Sequence, residues 1–419
     1  MTQHELIYDW NIQGATPEKP RKRIEFDDET LRDGMQSPTI KSPKIGDKIK
    51  ILHLMNDLGI DSADIGLPGA GPMVVEDVTV LAREICNNKL NIRASCAART
   101  VITDIAPISD ISQKTGMPIC VDMFIGSSTI RSYAENWSME RMLKNTEDSI
   151  RFARKNNLPV MYVTEDTTRA HPETIKALYK CAIENGVDRI CVCDTVGHAT
   201  PYGIINLIRF VQNIIKETGA EVKLDFHGHS DRGLALPNTI AAIIAGADRV
   251  HGCGHGIGER CGNTPMDLLL VNLKLMGWID NPLTRLPEYC ELICNACDIP
   301  IPCNYPVMGK DAFRTATGVH AATIIKALKK ETDVWLADAV YSGVPASMVG
   351  LKQNIEIGPM SGKSNVIFWL EERNINPTPE LVEMVFDQAK RSSTILSEDE
   401  INSIIVGMFR KARMGLVEA

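Results

Sequence analysis

The 419-residue chain carries 45 Lys and Arg against 53 Asp and Glu, a formal net charge of −8, and 44% of its residues are hydrophobic. This composition is typical of a globular protein, and an acidic balance without a basic stripe argues against nucleic-acid binding. Because no apolar run approaches the ~20 residues that a membrane helix needs and the first residues lack a signal-peptide pattern, we expect a cytoplasmic protein without a membrane anchor.

Eight short β-type runs follow one another from residue 23 onward, and a helical pattern comes after each of them. The predicted strands cover residues 24–30, 63–66, 91–97, 118–126, 159–166, 189–197, 222–229 and 248–254. Strand–helix units at a spacing of about 30 residues predict parallel βαβ connections. Eight such units within about 255 residues match an α/β fold of the (β/α)8 TIM-barrel type, whereas a doubly wound open sheet usually has fewer repeats.

The pattern changes after the eighth unit to helical stretches, which a Pro-rich segment at 299–309 interrupts. We therefore predict that a smaller, mostly helical C-terminal region follows the barrel. The predicted organisation is an N-terminal extension at 1–22, a catalytic barrel at 23–280, a helical linker subdomain at 281–365 and a C-terminal helical subdomain at 366–419.

Polar side chains gather where the predicted strands end, which is the face on which barrel enzymes carry their active sites. His227 and His229 are two residues apart at the end of the seventh strand, so both point to the same face. With Asp33 after the first strand they supply two imidazoles and one carboxylate, a set that suits Mn²⁺ or Zn²⁺ better than Mg²⁺. The alternative interpretation is a pair of hydrogen-bonded surface histidines, but their place at a strand end favours metal binding.

Two further features lie at the same predicted face. Arg32 precedes Asp33, where it serves either as a salt-bridge partner or as a group that stabilises negative charge on a carbonyl oxygen. The glycine-rich stretch at 250–265 follows the eighth strand and lets backbone amides approach an anion, although a tight turn has the same composition. Glu259 and Asn263 add polar groups to this stretch, which favours the functional interpretation.

Three motifs carry a family resemblance: LRDGMQSP at 31–38, LDFHGHSDRGLALPNTIAAIIAGA at 224–247 and GIGERCGNTP at 256–265. They resemble the metal-dependent TIM-barrel Claisen-condensing enzymes that include the 2-isopropylmalate, homocitrate and citramalate synthases. The likeness covers most of residues 24–370 and preserves the order of the motifs. The run G-I-G-E-R-x-G-N points to the condensing enzymes rather than to the lyases of the wider group.

The resemblance implies a role for each matching residue. Those that match the metal ligands are Asp33, His227 and His229, with Asn263 as a fourth ligand or close partner. Those that match catalytic or substrate-binding residues are Arg32, Gln36, Glu165, Thr195, Glu259, His320 and Tyr341. Arg32 would polarise the 2-oxo group, and Glu165 and Thr195 would contact the 2-oxo acid. Glu259 would lie towards acetyl-CoA, and His320 is the expected base.

Three positions depart from the family pattern. Met35 stands where the family usually has an acidic residue, Ser230 where it has Asn or Asp, and Arg131 where it has a histidine. A substrate-binding cation at Arg131, or at Arg99, would suit an acceptor with a second carboxylate, so the acceptor chain stays open. The sequence leaves no room for the leucine-binding regulatory domain of many 2-isopropylmalate synthases, and we expect none.

The activity that the resemblance implies is an acyltransferase reaction, in which acetyl-CoA condenses with a short 2-oxo acid and the thioester is then hydrolysed. A divalent metal ion (Mn, Zn or Mg) is the expected cofactor. 2-Oxoisovalerate is the first expectation for the acceptor, which would place the protein in leucine biosynthesis, and a homodimer is the expected assembly. The alternatives are a homocitrate- or citramalate-synthase-type acceptor, a carbon–carbon lyase of the same barrel group, and a non-catalytic metal-binding barrel.

The chain contains 12 cysteines, and three of them invite a competing interpretation. Cys290, Cys294 and Cys297 have the spacing C-x3-C-x2-C, which could hold an iron–sulfur cluster. The same spacing, together with Leu292 and Ile293, is typical of one face of an amphipathic helix. Since cysteine behaves there as a small apolar side chain, we expect reduced thiols packed in a core.

Overall fold

The computed structural model describes residues 6–14, 16–330 and 334–415. The chain divides into two compact units, Met1–Pro300 and Ile301–Ala419. The first unit contains all eight barrel strands, and the second is described by itself below.

Eight parallel strands form a closed barrel in the first unit. They are β1 (Glu25–Asp28), β2 (Ser62–Asp64), β3 (Arg93–Arg99), β4 (Cys120–Gly126), β5 (Val160–Glu165), β6 (Arg189–Asp194), β7 (Lys223–Gly228) and β8 (Arg249–Gly252). The strand order in space follows the chain, and β1 pairs in parallel with β8 so that Asp27 lies opposite His251. The predicted TIM barrel is confirmed.

Ten helices of the described residues belong to the first unit. They are α1 (Ile45–Asp57), α2 (Pro72–Asn88), α3 (Ile102–Thr115), α4 (Thr129–Glu135), α5 (Met139–Lys155), α6 (Pro172–Glu184), α7 (Pro201–Thr218), α8 (Ala235–Ala245), α9 (Met266–Leu275) and α10 (Leu286–Cys297). Helix α4 was not predicted from the sequence. The Ser128 hydroxyl caps it by accepting a hydrogen bond from the Arg131 N–H at 3.4 Å, and Asn136 ends it at a φ of 52°.

Side chains alternate along the strands, so that one set packs in an apolar layer against the helices and the other set points into a charged lumen. On β7, Leu224 and Phe226 are buried towards the helices, and Asp225 points the opposite way into the barrel. There Asp225 accepts hydrogen bonds from Arg249 Nε at 2.6 Å and Arg189 Nε at 2.8 Å. Barrels usually fill this space with branched aliphatic side chains, whereas here a network of ion pairs occupies part of it.

The cysteine triplet lies on α10, at the end of the first unit. Cys290, Cys294 and Cys297 are all buried on the helix, together with Ile293. The structure records each of them as a free thiol. Burial raises the pKa of Cys290 well above its ordinary value, which favours the neutral thiol over the thiolate that binds metals. The three cysteines therefore lie buried on a helix, as the amphipathic-helix interpretation of their spacing predicts.

The second unit is mostly helical and contains a two-stranded parallel sheet of β9 (Arg314–Thr315) and β10 (Asn354–Ile355). Its helices are α11 (Gly318–Lys330), α12 (Trp335–Ala339), α13 (Lys363–Glu371), α14 (Pro379–Arg391) and α15 (Glu398–Gly415). The last three helices share a core that includes Trp369, Val385 and Ile401. None of the helices in the described part of the chain combines the length and the apolar character that a membrane span requires.

Candidate active site

The candidate site is built at the carboxyl end of the barrel from the ends of β1 and β7, which lie on either side of β8. Asp33 lies in a short 3-10 helix (Asp33–Gln36) that follows β1, and His227 lies on β7. His229 follows β7 and forms an isolated bridge with Asn263, which ties the loop after β8 to this edge. These four residues, matched to metal ligands by the resemblance, thus lie together and are nearly inaccessible to solvent.

Ligand atoms of three side chains converge at this point. One ligand atom each from Asp33, His227 and His229 lies within 4.8 Å of the others. Asp33 Oδ2 lies 3.7 Å from both imidazole Nε2 atoms, which are 3.0 Å apart. Asn263 donates from Nδ2 to Asp33 Oδ1 at 3.0 Å, and its own Oδ1 is buried without a hydrogen-bond partner among the described residues. Two imidazoles, a carboxylate and a free amide oxygen fit a divalent ion such as Mn²⁺ or Zn²⁺.

The electrostatic environment keeps these groups in the forms that bind metals. Burial and, to a smaller extent, the adjacent His227 lower the pKa of His229 to about 3, so the imidazole is neutral at pH 7. Burial also lowers the pKa of His227. Burial by itself would raise the pKa of Asp33, but the Arg32 guanidinium and the two imidazoles outweigh it and hold that pKa well below its ordinary value.

The backbone of the glycine-rich loop packs directly against the candidate ligands. Gly258 adopts a φ of +149°, and a Cβ built on it would lie 2.1 Å from Asn263 Nδ2 and 2.9 Å from Asp33 Oδ1. A larger residue would therefore displace both side chains. The glycine is therefore needed because the loop backbone lies so close to Asn263 and Asp33, and not only because the chain turns there.

Arg32 joins several carboxylates at the edge of the site. Its Nε donates to Asp64 Oδ2 at 2.7 Å and its Nη1 to Asp33 Oδ2 at 3.1 Å, and it also pairs with Glu29. With 17% of its side chain exposed, it still lines the cavity beside the candidate ligands. Arg32 is thus an ion-pair partner that also lines the cavity, and its role towards a substrate oxygen stays a prediction.

A cavity of about 180 Å³ opens above these residues inside the barrel end. Of the residues matched to the family, it is lined by Arg32, Asp33, Gln36, Glu165, Thr195, His227, His229 and Glu259. Burial raises the pKa of Glu165 above its ordinary value. The Thr195 hydroxyl accepts a hydrogen bond from the Asp166 N–H at 2.8 Å, which fixes it at the wall. Asn263 and Arg131 are not among the lining residues.

Two of the matched residues lie in the second unit. His320 is on α11, and its ring stacks on Tyr341 with centroids 4.1 Å apart and planes inclined by 29°. Both side chains are exposed on that unit. The structure thus brings together two residues that are 21 positions apart and that sequence comparison assigned separately.

Three buried residues near the site are not among the predicted site residues, and for His251 the sequence favours a packing or solvated histidine over an extra metal ligand. Asp64 on β2 bonds to Arg32, while Glu29 and His251 lie in the lumen beside His227. The signal for Glu29 was present, since residues 25, 27 and 29 share one face of the first strand. The sequence contained no signal for the contact between Glu29 and His251, because β1 and β8 become neighbours only when the barrel closes.

Comparisons with known proteins agree on one family and one fold. The family model described as HMGL-like matches residues 23–292. Homocitrate synthase AksA of Methanopyrus kandleri is 29% identical over 367 residues, which cover 87% of this chain and 86% of that protein. The 2-isopropylmalate synthase of Sulfolobus acidocaldarius is 31% identical over 357 residues, with 84% and 86% covered. The solved HMG-CoA lyase from Brucella melitensis shares the fold, with a TM-score of 0.55, 17% identity, and 66% of this chain and 99% of that chain covered.

Proposed function

The chain belongs to the HMGL-like family, and we propose that within it this protein is an acyltransferase that condenses acetyl-CoA with a short 2-oxo acid. The observation that carries the proposal is the convergence of Asp33, His227 and His229 beside Arg32 in one cavity at the barrel end. Homology to curated synthases over more than four fifths of the chain supports the same reaction type. The likeness to HMG-CoA lyases, at 17% identity, speaks for the fold alone.

The residues of the cavity divide the proposed chemistry among them. The proposed ligands Asp33, His227 and His229 would hold a divalent ion, which when bound supplies Lewis-acid polarisation of the 2-oxo group. Arg32 faces the same space and stabilises negative charge as it develops on the carbonyl oxygen. Thr195 presents a hydroxyl at the wall for the substrate carboxylate.

The proposed base is His320, which removes a proton from the acetyl methyl group. The resulting carbanion equivalent forms a bond to the 2-oxo carbon, whose oxygen takes up the negative charge and then a proton. Water subsequently cleaves the thioester and releases the CoA thiol. Tyr341, stacked on the imidazole, holds the ring of His320 in one orientation.

The walls of the cavity favour an acceptor with an apolar chain, such as 2-oxoisovalerate. Apolar and sulfur-containing side chains line much of it, namely Leu67, Ala97, Phe124, Met161, Val163, Cys191 and Cys193. Two buried acids, Asp64 and Asp122, also line it, and burial raises the pKa of each of them. Arg32 is the one cation among these lining residues. An acceptor with a second carboxylate would thus find no further cation among these residues to bind that group.

The two arginines considered for such an acceptor are not among the lining residues. Arg99 makes a two-point contact with Asp104, with hydrogen bonds of 2.7 and 2.9 Å. Arg131 forms an exposed ion pair with Glu135 at 3.3 Å on α4, and its charge also acts on Glu165 in the cavity wall, where it opposes the rise in pKa that burial causes. The lining residues support 2-oxoisovalerate over 2-oxoglutarate or oxaloacetate, and Arg131 stays the predicted contact for an acceptor with a second carboxylate.

Release of CoA thiol from acetyl-CoA tests both the reaction and the acceptor. We expect release with 2-oxoisovalerate, abolished by a chelator and restored by Mn²⁺. With 2-oxoglutarate we expect a kcat/KM lower by about 100-fold or more, because a carboxylate buried without a counter-charge costs several kcal/mol. Faster release with 2-oxoglutarate would show that the acceptor is wrong. Absence of release with every acceptor, together with cleavage of a 3-hydroxyacyl-CoA, would favour the lyase.

The base assignment makes a separate prediction. We expect His320→Ala to lower kcat by about 10²–10⁴-fold, the usual contribution of a general base, and to suppress solvent deuterium exchange into the acetyl methyl group. Exchange reports proton removal directly, so a variant that merely binds substrate poorly is distinguished from one without a base. The control is His171→Ala, an exposed histidine at the start of α6. Unchanged exchange in His320→Ala would refute the assignment.

A further inference from the structure

The geometry points to a clamp, formed by Glu29 and His251, that orients His227 for metal binding. We propose this positioning role on the basis of one carboxylate shared between two imidazoles. Glu29 Oε1 lies 3.0 Å from His227 Nδ1 and 2.6 Å from His251 Nδ1. All three side chains are almost wholly buried, so water does not compete for these contacts. The inference rests on the metal site of the proposed function and adds residues to it.

The contact to Glu29 selects which nitrogen of His227 is available. A carboxylate accepts hydrogen bonds, so Nδ1 of His227 carries the proton and donates it to Glu29. The lone pair is then on Nε2, which is the atom that faces Asp33 Oδ2 and His229 Nε2. A carboxylate that fixes the outer nitrogen of a histidine in this way sets the ring orientation and the tautomer for a metal.

His251 in turn fixes Glu29. Its Nε2 lies 3.2 Å from Asp225 Oδ2, so the imidazole spans the distance between two buried carboxylates. Asp225 is itself held by Arg249 and Arg189. The chain of contacts therefore runs from the charged lumen of the barrel to the candidate ligand, and each member contacts the next.

Glu29 also reaches the other side of the site, where its second oxygen pairs with Arg32. One carboxylate thus orients the imidazole that is the proposed ligand and the guanidinium that is the proposed carbonyl-stabilising group. A purely structural ion pair would need only one of these contacts. This double contact explains why a charged residue is buried here.

A competing interpretation is a second metal ion bound by Glu29, His227 and His251, since their ligand atoms also lie within 4.8 Å of one another. A neutral imidazole has one nitrogen lone pair, so a metal bound through Nδ1 of His227 would take this residue away from Asp33 and His229. The clamp instead leaves that lone pair on Nε2, which favours the clamp over a second site. The two interpretations differ in the number of ions bound per chain.

Calorimetric titration with Mn²⁺ alone tests the clamp without relying on turnover. We expect one ion per chain, and an affinity that Glu29→Gln lowers by about 10–100-fold, the usual effect of removing such a supporting contact. The absorption spectrum of the Co²⁺-loaded protein should change in the same variant. The matched control is Glu84→Gln, which alters a histidine–glutamate contact of 2.7 Å with His53 on the outer helices and should leave both readouts unchanged.

Each outcome bears on the clamp in a defined way. If Glu29→Gln does not fold, His251→Gln takes its place, and it should lower the affinity while keeping Glu29 itself. Wild-type Mn²⁺ affinity in the folded variant would overturn the clamp but leave the proposed metal site standing. Two ions per chain, one of them lost in His251→Gln, would establish a second site instead. Absence of Mn²⁺ binding to the wild-type protein would overturn both the clamp and the metal site.

Discussion

Replacing Asp33 by asparagine is expected to remove divalent-metal binding and to lower kcat/KM by about 10³-fold, which corresponds to about 4 kcal/mol of lost transition-state stabilisation. The substitution keeps the size of the side chain and removes its charge. Asp33 Oδ2 faces both imidazole Nε2 atoms at 3.7 Å, so it is the anionic member of the proposed ligand set. An amide in its place leaves a cation with neutral ligands only.

The fold should tolerate this change, because Arg32 keeps its contacts to Glu29 and Asp64. Metal content measured by mass spectrometry and kcat/KM measured by thiol release provide the two readouts. Asp148→Asn is the matched control, since Asp148 is exposed on α5 and its ion pair within the described residues is with Lys144. Retention of stoichiometric metal by Asp33→Asn would show that the ion is held elsewhere.

The largest loss of stability is expected from Arg249→Met, which should lower the free energy of unfolding by about 3–5 kcal/mol. Arg249 is 3% exposed, and its Nε donates to Asp225 at 2.6 Å while its Nη1 donates to Ser62 at 2.6 Å. Its Nη1 also lies 3.4 Å from Asp27 Oδ1. Methionine has a similar length but leaves Asp27 buried without its principal counter-charge.

Urea denaturation followed by circular dichroism measures this loss as a shift of the midpoint. Arg285→Met is the matched control, because Arg285 forms its ion pair with Glu288 at the surface, where such pairs contribute about 0–1 kcal/mol. A midpoint for Arg249→Met that equals that of the control would show that the ion-pair network in the lumen does not stabilise the barrel.

The sequence was sufficient for those features that depend on local periodicity. Eight alternations of strand and helix predict the barrel, because each unit has its own apolar pattern and its own length. The spacing of His227 and His229 predicts that both face the lumen end, since alternate residues of a strand share a face. The cysteine spacing on α10 is likewise a property of one helix.

The sequence did not show which polar residues meet inside the barrel. Glu29 and His251 are 222 residues apart, and no local pattern connects them. The sequence also did not show the short helix that Ser128 caps, on which Arg131, the predicted substrate cation, pairs with Glu135 at the surface. Asp64 lies in a strand of three residues, and nothing in the local sequence indicates its hydrogen bond with Arg32.

The sequence by itself therefore determined the α/β class, the barrel, the face that carries the site and the residues Asp33, His227 and His229 as candidate ligands. The tertiary structure decided how the site is held: closure of β1 against β8 brings Glu29 to His251 and His227, and the register of the strands places Arg249 between Asp27 and Asp225. The physical reason is that side-chain alternation is set within one strand, whereas ion pairing depends on distance in space. A buried charge finds its partner only when the barrel closes.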